Sequence, residues 1–367
     1  MLMHTDSPAV PTLVDRVRAL TQAWDRENGQ ETYPADRIAM LAAAGATASF
    51  VVLDSIASVD ALVTVLRLIG GADLSLGRIY EGHVNAAQLV HAYGDAGQRR
   101  TLVQDLADHK IFGVWNTEPA PMTLEPMNLP TKADTWRLGG GKSFATGAGH
   151  IDRALITARR PDGAKQLVLV DIAGMTARVD NAGWRVRGMR GTQSGRFDFT
   201  DMIVGPEAVI GGPNDYEQEP RFSAGAWRFA AVQLGAVEAL VRHWRDHLVT
   251  SGKDGDPVQR ARIGAAMVAA RSATLWVSQA AKLAEAGHPD AIAHVLMTRG
   301  VVEEAGLAAM EGAARGIGTA AFFDGSRVDR ITRDLGLYLR QPVPDQARDR
   351  AVGAWLEADR WGDDRWW

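Results

Sequence analysis

Apolar residues in the first hundred positions recur at intervals of three and four, as in Leu13, Val17 and Leu20 and again in Leu62, Val65, Leu66 and Ile69. That is the period of a helix with one buried face, and it predicts a helical region from Pro11 to about His109. Ser58 and Asp60 are candidate starts for the helix carrying Leu62 to Ile69, Gly70-Gly71 its end, and Asp73-Leu74-Ser75 the start of the next; helical pattern resumes from Asn85 to Ala92 and closes at Gly94. Between Ile111 and about Asp215 the pattern changes to short β-prone runs: Trp136 to Leu138, Arg153 to Ala158, Gln166 to Val170, Thr176 to Val179 and Arg196 to Phe199. Pro161-Asp162-Gly163-Ala164 reads as the hairpin turn between two of them. The expectation is a small antiparallel barrel or sandwich. After Arg221 the helical period returns over Trp227 to Thr250, Pro257 to Ala286, His288 to Ala314 and Asp345 to Ala358, broken at 252–255 and 316–318, and helices of this length pack most simply as a four-helix bundle. The expected organisation is a helical domain over 1–110, a β domain over 111–215 and a bundle over 216–367, an α+β chain.

Composition narrows the chemistry. The chain has 367 residues, 46% of them hydrophobic, enough for two or three folding units. With 40 basic against 44 acidic side chains and a net charge of -4, there is no global electrostatic reason to expect nucleic acid or an anionic membrane as partner, so the expected ligand is a small molecule. The absence of cysteine excludes disulfides, thiolate metal sites and cysteine nucleophiles. No stretch reaches 18 uncharged apolar residues and Met1 to Asp6 lacks a basic start followed by an apolar run; a cytoplasmic setting is expected. The nine histidines are scattered and form no His-Glu-x-x-His, and no Gly-x-Ser-x-Gly elbow is present. Gly139 to Ser143 superficially resembles a phosphate loop but lacks its first glycine and spacing. The aromatic tail Trp361 to Trp367 is expected to dock on its own chain or on a partner.

The stretch Gly141-Lys142-Ser143-Phe144-Ala145-Thr146-Gly147-Ala148 carries the first candidate chemistry. A turn of small residues lets backbone approach a flat ring such as a flavin, and Thr146 can offer a hydroxyl to a ring nitrogen.

Several further pieces join it in order. With Asn116-Thr117-Glu118-Pro119, Gly188 to Gly195, Phe197 to Met202 and Arg333-Asp334, the chain resembles the acyl-CoA dehydrogenase family over nearly its whole length. The resemblance implies FAD held between β domain and bundle, with Thr117 and Thr146 touching the isoalloxazine and Phe144 where a Trp usually flanks it. It also implies Arg190 and the Thr192 to Ser194 run near substrate and flavin, and a homodimer or homotetramer in which Arg315, Gly316 and Gly318 meet the partner's cofactor. The family's catalytic Glu has no counterpart in Leu339 to Val343 or in Ser223 to Arg228, and the Arg-x-x-Phe-Gly grip on the FAD diphosphate is replaced by Thr250 to Asp256, where Lys253 is the available cation. On the same analogy Tyr80 to His83 and Asp73 pack against the substrate cavity, which makes His83, with Glu81, the candidate substitute base. Glu219 is either a group at the cavity mouth or a carboxylate complementing a helix dipole. The expected activity is FAD-dependent oxidation of the CH–CH bond of an acyl thioester or related small substrate, with an electron-transfer or flavin-supplying protein as further partner. The alternatives are a flavin monooxygenase of the same fold and a non-catalytic binding relative.

Overall fold

The computed structural model describes residues 12–25, 31–129 and 132–358; the aromatic tail and the first eleven residues lie outside the described residues. The first region holds α1 (Leu13–Trp24), α2 (Ala35–Ala43), α3 (Ile56–Ala72), α4 (Leu74–Tyr93) and α5 (Ala96–Ala107). Helix α3 starts at Ile56, two residues before Ser58, because Ser55 is its N-cap and Ser58 closes a capping box with it. Asp73 ends α3 and caps α4 through Leu76 N–H, as its place before Leu74-Ser75 suggests.

The β region is built from β1 (Phe112–Trp115), β2 (Thr123–Leu129), β3 (Lys132–Gly139), β4 (Gly141–Ala145), β5 (Arg153–Arg159), β6 (Lys165–Asp171), β7 (Val179–Asp180), β8 (Gly195–Asp198), β9 (Met202–Val204) and β10 (Val209–Ile210). Among the described residues, β4, β8 and β7 form a three-stranded sheet, and the other strands form a seven-stranded one in the order β10-β6-β5-β2-β3-β9 with β1 beside β5. Most pairings are antiparallel, but β1 runs parallel to β5, so the layers are mixed. The Pro161 to Ala164 turn joins β5 to β6, with Gly163 at φ +86°. Two readings are corrected. Thr176–Arg178 is a 3-10 turn rather than a strand, and Gly141 to Ala145 is a strand rather than a turn. Glycine-rich segments read as loops, yet here Gly141 lets β4 lie directly on the Phe197 carbonyl, which a Cβ would strike.

The last region comprises α6 (Arg221–Ala224), α7 (Trp227–Thr250), α8 (Pro257–Glu285), α9 (Ala291–Ile317), α10 (Arg327–Tyr338) and α11 (Pro344–Ala358). Helix α10, absent from the predicted bundle, packs on α7, α9 and α4. Helix α7 is as much the partner of α3 as of the bundle. Gly70 and Gly71 lie in the last turn of α3, which ends at Ala72, and they face Val232 and Gly235 of α7; Gly235 in turn faces the Arg67 carbonyl, so that a Cβ at any of the three would meet backbone oxygen. Small residues on both helices bring the two backbones together and weld the first region to the last. A continuous core including Leu66, Ile69, Val232, Trp115 and Phe197 runs through all three regions.

Candidate functional site

The end of β4 is shaped by a bulge. Its pairing with β8 slips between Ser143 and Ala145, and the extra residue is Phe144, held at φ +53° with 59% of its surface exposed. A bulky residue in the left-handed region is strained, and a large aromatic thrust into solvent gains nothing from burial, so the local fold favours neither feature by itself. Bulges of this kind re-aim a side chain beside a functional site. The edge of Trp184 supports the ring, with centroids 6.4 Å apart at 81°.

Around the bulge three segments meet. Ser143 N–H donates to the Thr117 carbonyl at 2.9 Å, so Thr117, two residues past the end of β1, adjoins Phe144. Gly147 N–H donates to the Thr192 carbonyl at 2.8 Å, and Trp115 Nε1 donates to the Thr146 carbonyl at 3.0 Å, fixing the backbone on both sides of Thr146. From the half-buried Thr146 a row of hydroxyls leads inward. Thr146 Oγ1 lies 3.1 Å from Ser194 Oγ, which donates at 2.8 Å to Thr192 Oγ1, which donates at 2.8 Å to the Met189 carbonyl. Thr117, Phe144 and Thr146 are thus brought to one edge of the β region.

Lys142 lies beneath them, fully buried. Its ammonium reaches Glu118 Oε2 at 2.7 Å, Thr157 Oγ1 at 3.1 Å and the Asn116 carbonyl at 3.2 Å, while Thr157 Oγ1 donates to Asn116 Oδ1 at 2.7 Å. Burial pulls the Lys142 pKa down, and the Glu118 hydrogen bond and charge oppose that shift. Sequence reasoning met Lys142 as part of a false phosphate loop and missed that it anchors Asn116 to Glu118; a lysine amid strand residues at an inward-pointing position was the available signal.

The proposed base is not placed as one. His83 Nε2 donates to the Thr47 carbonyl at 2.7 Å and Nδ1 accepts from Phe112 N–H at 3.1 Å, so both ring nitrogens are committed and the ring joins α4 to β1. Burial lowers its pKa to about 4, and the reading of His83 as a free base is corrected accordingly. Tyr80 is likewise structural, its hydroxyl on the Ala46 carbonyl at 2.9 Å. Asp73 pairs with Arg37 at 2.8 Å and Arg330 at 3.0 Å.

Glu81 occupies a different buried set. It is ion-paired to Arg78, and its charge helps raise the phenols of Tyr216, pushed up to about 12 chiefly by burial, and of Tyr338 at the end of α10. The Tyr338 hydroxyl is buried with no hydrogen-bond partner among the described residues. Arg190 is half-exposed and committed to Glu31 at 2.6 Å and the Val186 carbonyl at 2.8 Å. Arg333 joins Glu31 at 2.9 Å, and Asp334 accepts from Met189 N–H at 2.5 Å, so the Arg-Asp pair of α10 clamps the loop that carries Thr192 and Ser194. Burial raises Asp334 to about 6.

The residues expected to meet a partner's cofactor have local explanations. Arg315 is 64% exposed and paired with Glu311, a Cβ on Gly316 would enter the Trp244 indole, and Gly318 ends α9 at φ +77°. Glu219 accepts from Ser223 N–H at 2.9 Å, the helix-terminus role rather than a cavity role. No cluster able to hold a metal ion occurs among the described residues, and no described helix is long and apolar enough to cross a membrane.

Comparisons with known proteins place this geometry. Residues 218–338 match the family described as acyl-CoA dehydrogenase, C-terminal domain. The chain is 27% identical over 209 residues to a dibenzothiophene monooxygenase of Mycolicibacterium goodii and 28% identical over 210 residues to one of Rhodococcus erythropolis. Each match takes in 53% of this chain and 50% of the relative, so the chain spans about half the length of the curated relatives it matches. Among solved structures, TdsC of Paenibacillus sp. A11-2 with FMN and indole superposes with a TM-score of 0.82 at 18% identity, covering 95% of this chain and 97% of that one. Butyryl-CoA dehydrogenase of Megasphaera elsdenii superposes with a TM-score of 0.79 at 15% identity, covering 95% and 100%. Helices, a two-sheet β region and a terminal helical bundle in this order give the chain the acyl-CoA dehydrogenase fold, and its residues 218–338 carry the match to that family's C-terminal domain.

Proposed function

We propose that the chain is a flavin-dependent monooxygenase of the acyl-CoA dehydrogenase fold, acting on a small aromatic substrate with reduced FMN supplied by another protein. The observation that carries this reading is the bulge that presents Phe144 beside Thr146 and Thr117. A flat ring laid on that edge would cover the exposed aromatic and meet a hydroxyl, which accounts for a strained conformation the fold does not otherwise need. Bound there, the flavin would supply the reduced ring at which oxygen is activated. This chain's residues do the rest: Phe144 covers one face, Thr146 addresses the ring edge, and Lys142 holds Asn116 to Glu118 in place.

Oxygenation is favoured over the expected acyl-thioester oxidation by two features. Removing a proton next to a thioester carbonyl needs a carboxylate in reach, and neither 339–343 nor 223–228 holds one, while His83 is committed to backbone. The relatives named as dibenzothiophene monooxygenases point the same way. FMN is preferred to the expected FAD because Arg315, the candidate diphosphate contact, is paired with Glu311 and the family's arginine motif is missing. TdsC, whose structure contains FMN, supports the same choice. Glu81 keeps a role as the partner that neutralises buried Arg78, and Arg190 one as a clasp on the 188–194 loop. The protein is taken to act as a homo-oligomer, as the family resemblance implies.

Equilibrium dialysis against FMN and FAD, followed by anaerobic addition of butyryl-CoA, tests the reading. Tighter binding of FMN, with no bleaching of the bound flavin by butyryl-CoA, is expected; bleaching would restore the dehydrogenase reading.

A further inference from the structure

The hydroxyl row behind the bulge has a direction. Thr192 gives its proton to the Met189 carbonyl, Ser194 gives its own to Thr192, and Thr146 is left to donate to Ser194. In this arrangement every hydroxyl proton is used inside the protein, and the outermost oxygen, on half-buried Thr146, keeps only its acceptor capacity for a ligand. The row can also run the other way, with Thr192 donating to Ser194, Ser194 to Thr146, and Thr146 outward. Reversal costs the Met189 carbonyl one donor, yet that oxygen keeps Thr192 N–H at 3.1 Å and Trp184 Nε1 at 3.2 Å, so it is not left unpaired.

We infer that the Thr146–Ser194–Thr192 row is a reversible hydrogen-bond chain that reads the protonation state of the ring atom laid against Thr146, and that it favours the reduced over the oxidised flavin. This rests on the proposal that the flavin edge lies at Thr146. The ring nitrogen of an oxidised flavin accepts a hydrogen bond; the same nitrogen in the two-electron-reduced form carries a proton and donates. The inward-running row meets the reduced form as it stands. The oxidised form requires all three hydroxyls to turn. Both forms bind, because the chain can reverse, but the resting direction favours the form that arrives reduced. A protein that takes its flavin reduced and releases it oxidised needs that preference.

Removing the middle hydroxyl tests the inference. In Ser194→Ala the Thr146 hydroxyl loses its internal acceptor and turns freely to either form. Dissociation constants for reduced and oxidised FMN, measured anaerobically by fluorescence and by dialysis, are expected to differ by about fivefold or more in favour of the reduced form in the natural protein, the worth of one well-made hydrogen bond. The ratio is expected to approach one in Ser194→Ala, with the midpoint potential of bound FMN falling in step. Thr192→Val, which removes the inner donor and keeps the volume, is expected to move the ratio in the same direction and serves if Ser194→Ala is poorly folded. An unchanged ratio in both variants, with FMN still bound, overturns the chain and leaves the flavin site standing. Failure of the natural protein to bind FMN in either form removes the flavin site and the inference with it.

Discussion

At the scale of single residues, two side chains that the local fold does not favour lie at the proposed flavin site. Phe144 is exposed and left-handed, and Lys142 is charged and fully buried. Each is explained by what it serves at the edge of β4. Lys142→Met keeps the length of the side chain but leaves Glu118 and the Asn116 carbonyl without their cation; it is expected to destabilise the protein by about 3 kcal/mol, measured by urea unfolding. Thr146→Val keeps shape and removes a hydroxyl that can reach a ligand. It is expected to weaken FMN binding about tenfold while leaving the melting temperature within a few degrees, a contrast that separates a ligand-facing group from a packing one. Thr117, Phe144 and Thr146 became candidates through the family resemblance, which rests on the order and spacing of the motifs that contain them. The sequence did not expose Ser194 as the middle of a chain or Lys142 as an anchor, because both roles depend on neighbours 15 to 48 positions away. His83 misled for the same reason: a histidine among helical residues looks free until Thr47 and Phe112 are seen at its two nitrogens.

At the scale of elements, periodicity exposed the long helices and the β5–β6 hairpin, since both bury one face and leave a regular mark on the chain. It was blind where backbone approach, rather than side-chain burial, decides the structure. Gly70-Gly71 looked like a helix end and is also the surface on which α7 crosses α3; Gly141 looked like a turn and is a strand lying on the Phe197 carbonyl. Gly235→Ala would drive a methyl into the Arg67 carbonyl and is expected to cost about 3 kcal/mol, read as a lower denaturant midpoint. An equal change at Gly264 on α8, where nothing surrounds the added Cβ, should leave stability unchanged or slightly higher, so the pair of variants distinguishes helix contact from helix propensity.

At the scale of the whole molecule, the first region packs on both the last region and the β region, and some of the contacts between regions are titratable. His83 joins α4 to β1 as a neutral ring, with its folded pKa lowered to about 4 from an ordinary 6.5. Between those values the unfolded chain binds more protons than the folded one, so stability falls as pH drops from 6.5 toward 4. His294, lowered to about 4 by burial, acts in the same direction. Asp334, raised to about 6, acts in the opposite one. His83→Gln is expected to flatten the acid side of a melting-temperature profile over that window, at the cost of about 2 kcal/mol of stability at neutral pH from the hydrogen bonds it remakes poorly. A profile as steep as that of the natural protein would place the acid sensitivity elsewhere.

A flavin held at this edge of the β region for oxygen transfer would leave one atom of O₂ in the product. Protein mixed anaerobically with reduced FMN and with indole or dibenzothiophene, then exposed to ¹⁸O₂, is predicted to yield product carrying a single labelled oxygen, and to yield less of it in Thr146→Val when FMN is below saturation. Unlabelled substrate throughout, together with bleaching of the bound flavin by butyryl-CoA, would contradict it.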